Sequence, residues 1–443
     1  MTRLPSFFRA EDQQYLPFIA AAVFFGLIVG LPLGFTLAHA AAQGSYLGGR
    51  WQPLVQVHGH LQLIGWAGLF VMGMGYRLVP RFTGVRIKPA ALVPLTFVLM
   101  VSALALRAVA QPFADETALA ALFVASAALE AAGTLVFSGA VLRCLASGRR
   151  ETFLYSPFFA AGSAWAAVAA LLGLVFVIDA ARHSATTLPA LRAAALTFME
   201  LNGFVLMFIL AVSMRTFPIF FERRPARPRP TLIAWAVGNG GVAAYSAAFL
   251  WKSYDHSADV RALQTAGLLA VGLALLALLA LLRIFEGKPV RLRTSARRSM
   301  RFVRSAYLWL LIAAPLEVLF SIRAFADGRP PTHFETDAVR HFVALGFVTT
   351  MIVGMALLVV PRLAMRRAQA QPGFVAPALL ALLHGATAAR GAGSLLANEL
   401  RFEAGYWTMT GGGLAALVAM AVFAVYVFWP VRPPEIPVAE RSP

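Results

Sequence analysis

The chain has 443 residues, of which 59% are hydrophobic and 13% charged, a balance that excludes a soluble globular protein of this length. Its formal net charge of +18 would suit a nucleic-acid binder. However, the basic residues collect in loops on one side of a series of apolar spans, densest at Arg223 to Arg229 and Lys288 to Arg304, which is the positive-inside pattern of a membrane protein and no DNA footprint. The single cysteine, Cys144, excludes internal disulfides, CxxCH haem attachment and thiolate clusters, and reads as a packing residue.

In chain order, about twelve apolar segments reach bilayer-crossing length: 14–42, 57–80, 88–110, 116–146, 153–181, 189–220, 230–251, 260–284, 300–325, 335–361, 372–397 and 405–431. They form one membrane domain, 14–431, preceded by a short lead (1–13) and followed by a Pro-rich, flexible tail (432–443). No short apolar core with a small-residue cleavage site opens the chain, so no removable signal peptide is expected. Strands of alternating polarity are absent from the pattern, which argues against an outer-membrane barrel. The Lys/Arg bias places both termini in the cytoplasm of a bacterium, with the chain in the inner membrane. The polar residues within the spans are few. Glu130 lies near the middle of the fourth, Glu200 and Asn202 in the sixth, Asn239 in the seventh, Glu317 in the ninth and His384 in the eleventh. No Walker motif and no GxGxxG element in a strand–helix setting occurs.

Three spans repeat one another. Aligning the second with the tenth places His60 on His341, Gly65 on Gly346, Gly73 on Gly354 and Pro80-Arg81 on Pro361-Arg362. The sixth keeps Gly203 and Pro218 in the same register but has Phe198 at the histidine position. Repeats that recur every four spans predict an all-α polytopic membrane protein made of three four-helix units around a pseudo-threefold axis. The three repeated helices run in one direction, so their histidine ends share the periplasmic side.

Histidines in membrane-crossing helices are costly and usually face a bundle interior. One reading is a structural hydrogen bond between helices. The matched pair His60 and His341, with His58 beside them, favours metal ligation instead, since two imidazoles suit a haem iron or a copper or zinc ion. His58 and His60 lie two residues apart, about 200° around a helix. They cannot both ligate one ion, and either can be the ligand. His39, at the same outer end, and His384, near mid-membrane, are further candidates, whereas His183, His256 and His333 fall in or beside outer loops. Glu130, Glu200 and Glu317 are either protonated carboxyls bonded to neighbours, Glu200 to Asn202 for example, or members of a proton path or metal site. Arg77, Arg81 and Arg362 are expected to snorkel to the headgroups. Trp66, Met72 and Met74 are expected to pack, and the four repeat glycines to allow close helix approach or room for a flat ligand.

The His58-x-His60 opening of the second span, the run Arg340-His341-Phe342-Val343-Ala344-Leu345-Gly346-Phe347-Val348-Thr349-Thr350-Met351 in the tenth, and the twelve-span plan resemble the NnrS family of bacterial membrane proteins. The resemblance covers most of the chain in topology and two helices in motif. It implies haem of b type, copper as an accompanying metal, and a role in resistance to nitric oxide stress or denitrification-linked metabolism. A more distant likeness is to the catalytic subunits of haem-copper oxidases and nitric oxide reductases, which share twelve spans, a threefold plan and haem-ligating histidines on spans two and ten. Here Phe198, Met199 and Glu200 stand where that family's sixth span supplies a metal-binding histidine, and the seventh span has no histidine. The three-histidine copper site is therefore not built. The expected function is a haem-binding inner-membrane protein that meets nitric oxide or a related diatomic gas. His60 and His341 are the expected axial pair, with His58 next. The alternatives are a proton-coupled transporter and a haem-dependent membrane oxidoreductase that relays protons through Glu200 or Glu317.

Overall fold

The computed structural model describes residues 13–148, 154–286, 294–363, 374–399 and 402–428, with side chains left out at 294–296, 358–363 and 427–428. The expected lead, tail and first part of the basic segment at 288–304 lie largely outside this set, as do the side chains of Pro361 and Arg362. Among the described residues there is no strand.

Among the described residues, eleven helices are long and apolar enough to cross a membrane. They are α1 (Leu16–Ala42), α2 (Trp51–Thr83), α3 (Leu92–Phe113), α4 (Thr117–Ala146), α5 (Ser156–Arg182), α6 (Ala190–Phe221), α7 (Pro228–Tyr254), α8 (Arg261–Leu282), α9 (Arg297–Asp327), α10 (His333–Leu357) and α12 (Phe402–Tyr426). The remaining expected span is α11 (Val375–Asn398), a helix of 24 residues. At about 1.5 Å per residue it is long enough to cross. Its apolar run is interrupted by His384 and Arg390.

The repeated helices are the central ones. In α2, α6 and α10 the most apolar window is 83, 72 and 72% buried, whereas no other helix exceeds 50%. Each carries a wide π-helical stretch that starts one residue after the repeat's histidine position: Leu61–Gly68 after His60, Met199–Val205 after Phe198, and Phe342–Thr349 after His341. A π turn inserts an extra residue and re-aims the side chains around it.

The repeat glycines sit where neighbouring aromatic residues press in. A Cβ on Gly203 would lie 2.5 Å from Cγ of Trp165 in α5, and one on Gly346 2.5 Å from Cγ of Trp309 in α9. Gly65 meets Phe25 of α1 at 3.0 Å. One turn pair further on, Gly73 and Gly354 face Phe18 and Phe302. Every four helices the same aromatic-on-glycine contact recurs, so these glycines serve close packing and leave no room there for a flat ligand. Aromatic rings fill the space between α2, α4, α5 and α6. Phe208 contacts Phe137 and Phe159 at centroid distances of 5.5 and 5.2 Å, in the tilted and edge-on geometries that ring quadrupoles favour.

Two expectations about side chains at the other end need separating. Arg81 is exposed at the end of α2, as snorkelling requires. Arg77 is only 7% exposed, with its guanidinium 5.4 Å over the Tyr15 ring. The aromatic face replaces the headgroup that the sequence led us to expect. Cys144 and Met72 are buried packing residues.

The loops on the histidine side are tied together. Arg50 donates to both carboxylate oxygens of Asp115 (2.8 and 3.0 Å) and to the Pro112 carbonyl (2.9 Å). That hydrogen bond holds the Asp115 carboxyl below the usual carboxylate range. Thr332 and Glu335 form a capping box at the start of α10. The glycine contacts give a direct test. Gly346→Leu should cost about 1–3 kcal/mol or more through overpacking against Trp309, read as a lowered thermal midpoint in detergent. Gly411→Leu, at a glycine with nothing within 4 Å, should leave the midpoint unchanged. Equal stability of the two variants would contradict the packing described.

Candidate functional site

The helical repeat sends His58 and His60 to opposite faces of α2, and both faces border one cavity of about 390 Å³. His60 turns toward α4. Its Nε2 lies 2.8 Å from Oε2 of Glu130, and Arg107 Nη1 of α3 is 4.0 Å from the same oxygen. All three residues are 7% exposed. A hydrogen-bonded chain leads away from this group. Arg107 Nε donates to Gln111 Oε1 (3.0 Å) and Gln111 Nε2 to Gln56 Oε1 (2.9 Å). Gln56 then pairs with the backbone of Leu188, donating to its carbonyl at 2.8 Å and accepting from its N–H at 2.9 Å. Glu200 of α6 joins the group from the third side. One ligand atom each from His60, Glu130 and Glu200 lies within 4.8 Å of the other two.

His58 faces α1 and the α10 side. Its Nδ1 donates to the carbonyl of Gly30 at 2.8 Å. A carbonyl only accepts, so the proton of a neutral ring sits on Nδ1 and Nε2 keeps its lone pair. A stripe of small residues in α1 makes room for this face of α2. Cβ atoms on Gly34, Gly30 and Gly26 would strike His58, Gln62 and Trp66 respectively, each four residues from the next on both helices. The stretch Phe24–Gly30 of α1 is itself a π turn, which leaves the Gly30 carbonyl available to the imidazole.

His341 has the same arrangement. Its Nδ1 lies 2.8 Å from the Asp337 carbonyl and 3.3 Å from Asp337 Oδ1. Asp337 in turn accepts from Ser394 Oγ at 2.5 Å and lies 3.7 Å from Arg390 Nη2. The other arm of Arg390 contacts the sulfur of Met409. His58 has His341, Asp337 and Arg390 among its neighbours, whereas His60 has Arg107 and Glu130. The structure therefore brings His58, and not the expected His60, into the neighbourhood of His341. The reason is the angle between the two α2 histidines: packing that points His58 at α1 must point His60 at α4.

The other sequence candidates stand apart from this cavity. The His39 ring stacks on Phe35 at 5.8 Å and meets the edge of Trp407 at 5.4 Å. His384 Nδ1 accepts from Trp309 Nε1 at 2.8 Å, which makes it part of the packing around Gly346. Glu317 is buried beside Gly272 of α8 and has no ionic partner among the described residues. Asn202 is buried and also lies away from the cavity. Trp66 does line the cavity, and its Nε1 donates to Thr349 Oγ1 of α10 at 3.1 Å. A second, largely apolar cavity of about 260 Å³ lies toward the opposite ends of α2, α6 and α10, with Met74 and Arg81 in its wall.

Sequence reasoning missed Arg107, Asp337 and Arg390, together with Gln56 and Gln111. The usable signal was present: ionisable residues inside or at the edge of a span are functional candidates whatever their sign, and Arg107, Asp337 and Arg390 all fall there. The stripe Gly26-x-x-x-Gly30-x-x-x-Gly34 was equally visible as a helix-contact motif.

Residues 239–432 match the family model described as a domain of unknown function (DUF8744). That segment contains His341, Asp337 and Arg390 and excludes His58, His60, Arg107, Glu130 and Glu200. No curated protein matches the chain.

The buried pair around Glu130 can be tested by charge removal. Glu130→Ala leaves Arg107 uncompensated in the membrane interior and should destabilise the protein by about 3–5 kcal/mol. Removing both charges in Glu130→Ala/Arg107→Leu should recover a large part of the loss. Thermal unfolding in detergent decides it: a single variant as stable as wild type would mean that no ion pair is buried there.

Proposed function

We propose that this chain is a haem-binding protein of the bacterial inner membrane, of the kind the NnrS family represents, which serves in the response to nitric oxide. One observation carries the reading. His58 and His341 each anchor Nδ1 on a backbone carbonyl (2.8 Å in both) and leave Nε2 without a partner among the described residues, beside a common cavity. An outer hydrogen bond on one ring nitrogen that orients the other is the usual setting of a metal-bound imidazole.

The residues present fit the group. The cavity falls in the ordinary range for cofactor sites, about 300–1,000 Å³. Its wall is mostly apolar, and Arg340 and Arg390 supply cations for the carboxylates of a porphyrin. His58 and His341 would hold the iron; the same imidazoles also suit copper. When bound, haem iron supplies either a position for a diatomic gas or a one-electron couple. Asp337 keeps His341 in one tautomer and orientation, Gly30 does so for His58, and Trp66 with Thr349 ties the two helices that carry them. The pseudo-threefold plan of oxidase-like proteins is the architecture we assign to the repeated units. The recurring aromatic-on-glycine contacts and the matched π turns support it. The basic loops on one side support cytoplasmic termini.

The hydrogen bonds from Leu188 to Arg107, continued by the Arg107–Glu130 ion pair to His60, favour a second reading, a proton-coupled transporter built on the same buried ionisable groups. Colour separates the two. Purified in detergent after expression with ample haem, the wild type should show a Soret band. His58→Ala and His341→Ala should each lose it, and His60→Ala should keep it. A shift of the band by carbon monoxide would mark an open iron position. A colourless wild type would sink the haem reading in favour of the transporter, and loss confined to His60→Ala would move the ligand to the other face of α2.

A further inference from the structure

His60, Glu130 and Glu200 come from α2, α4 and α6, and meet on the face of α2 opposite His58. One nitrogen and two carboxylate oxygens lie within 4.8 Å of one another. Around a single first-row ion, with bonds of about 2.0–2.2 Å, ligand atoms sit about 3–4 Å apart. Side-chain movement of about 1 Å closes that difference.

The charge balance supplies a separate argument. Glu130 is matched by Arg107, with His60 bonded to the same oxygen. Glu200 is 9% exposed, lines the cavity, and has no hydrogen bond or ion pair among the described residues. A carboxylate placed so deep in a membrane protein is strongly unfavourable unless a proton or a cation answers it. The ion pair accounts for one negative charge and leaves the other open.

We propose that His60, Glu130 and Glu200 form a binding site for one divalent first-row transition-metal ion of the iron(II), manganese(II) or zinc(II) class. One imidazole with two carboxylates and no sulfur selects these over copper(I). Three protein ligands leave the remaining coordination positions to the cavity, the layout of a reactive rather than a closed structural site. Arg107 acts as a positioning residue that holds Glu130 against His60. The site stands independently of the haem reading, because neither His58 nor His341 belongs to it.

The test uses the full chain in detergent, stripped with a chelator. Mn²⁺ is titrated in and the free ion is read by electron paramagnetic resonance, with Zn²⁺ as competitor. Wild type should take up one ion per chain. Glu200→Gln should weaken binding at least tenfold while leaving the thermal midpoint and any Soret band unchanged, since no hydrogen bond within the described residues is lost. Glu317→Gln, at a buried acid outside the trio, should bind as wild type does. Absence of saturable uptake of either ion by wild type would overturn the site and leave Glu200 as a protonated carboxyl. Undiminished binding by Glu200→Gln would overturn it as well.

Discussion

Within a bilayer there is no bulk water to answer a buried charge, so each group that stays ionised must find its partner in the chain or face an internal cavity. The architecture around α2 follows from that constraint. Glu130 is met by His60 and Arg107, and Asp337 by His341, Ser394 and Arg390. Both groups border the same cavity, and each is made from several helices. Two of the three most buried helices, α2 and α10, carry His60, Asp337 and His341. A substitution that removes one charge leaves its counter-charge stranded, which makes these positions more demanding than the apolar packing around them.

The apolar packing repeats, and the polar chemistry breaks the repeat. Phe25, Trp165 and Trp309 press on Gly65, Gly203 and Gly346 in three corresponding places, and each of these glycines lies within the same wide turn. At the position before that turn the three copies differ. His60 and His341 occupy it in α2 and α10, whereas in α6 Phe198 stacks on Tyr245 at 4.1 Å. One copy thus has a pair of rings at this register. It contributes Glu200, two residues further on, to the group around His60 instead.

The glycines show how one residue type reads differently according to its neighbours. The repeat glycines were open to two interpretations, close approach or room for a flat ligand, and neighbouring aromatic side chains occupy the space they leave. The glycines that do shape the cavity are Gly26, Gly30 and Gly34 of α1, which admit Trp66, Gln62 and His58. In both cases the missing side chain is filled from the adjacent helix. Only in the second does that helix present an imidazole beside the cavity.

Hydrophobicity and helical period are local properties. Sequence by itself therefore determined the membrane class, the positions of the spans, the repeat of α2 in α6 and α10, and the presence of His58, His60 and His341 near matching ends. It also picked out Glu130 and Glu200 as acids too deep to be ordinary. What it left open was the rotation of each helix about its own axis, because that angle is set by contacts between residues far apart in the chain. Tertiary structure decided that His60 faces Glu130 while His58 faces Gly30 and the α10 side. It turned His384 into a partner of Trp309, isolated Glu317, and brought in Arg107, Asp337 and Arg390. Two histidines about 200° apart cannot share one centre, and the fit of α2 against the glycine stripe of α1 settled which of them meets which partner.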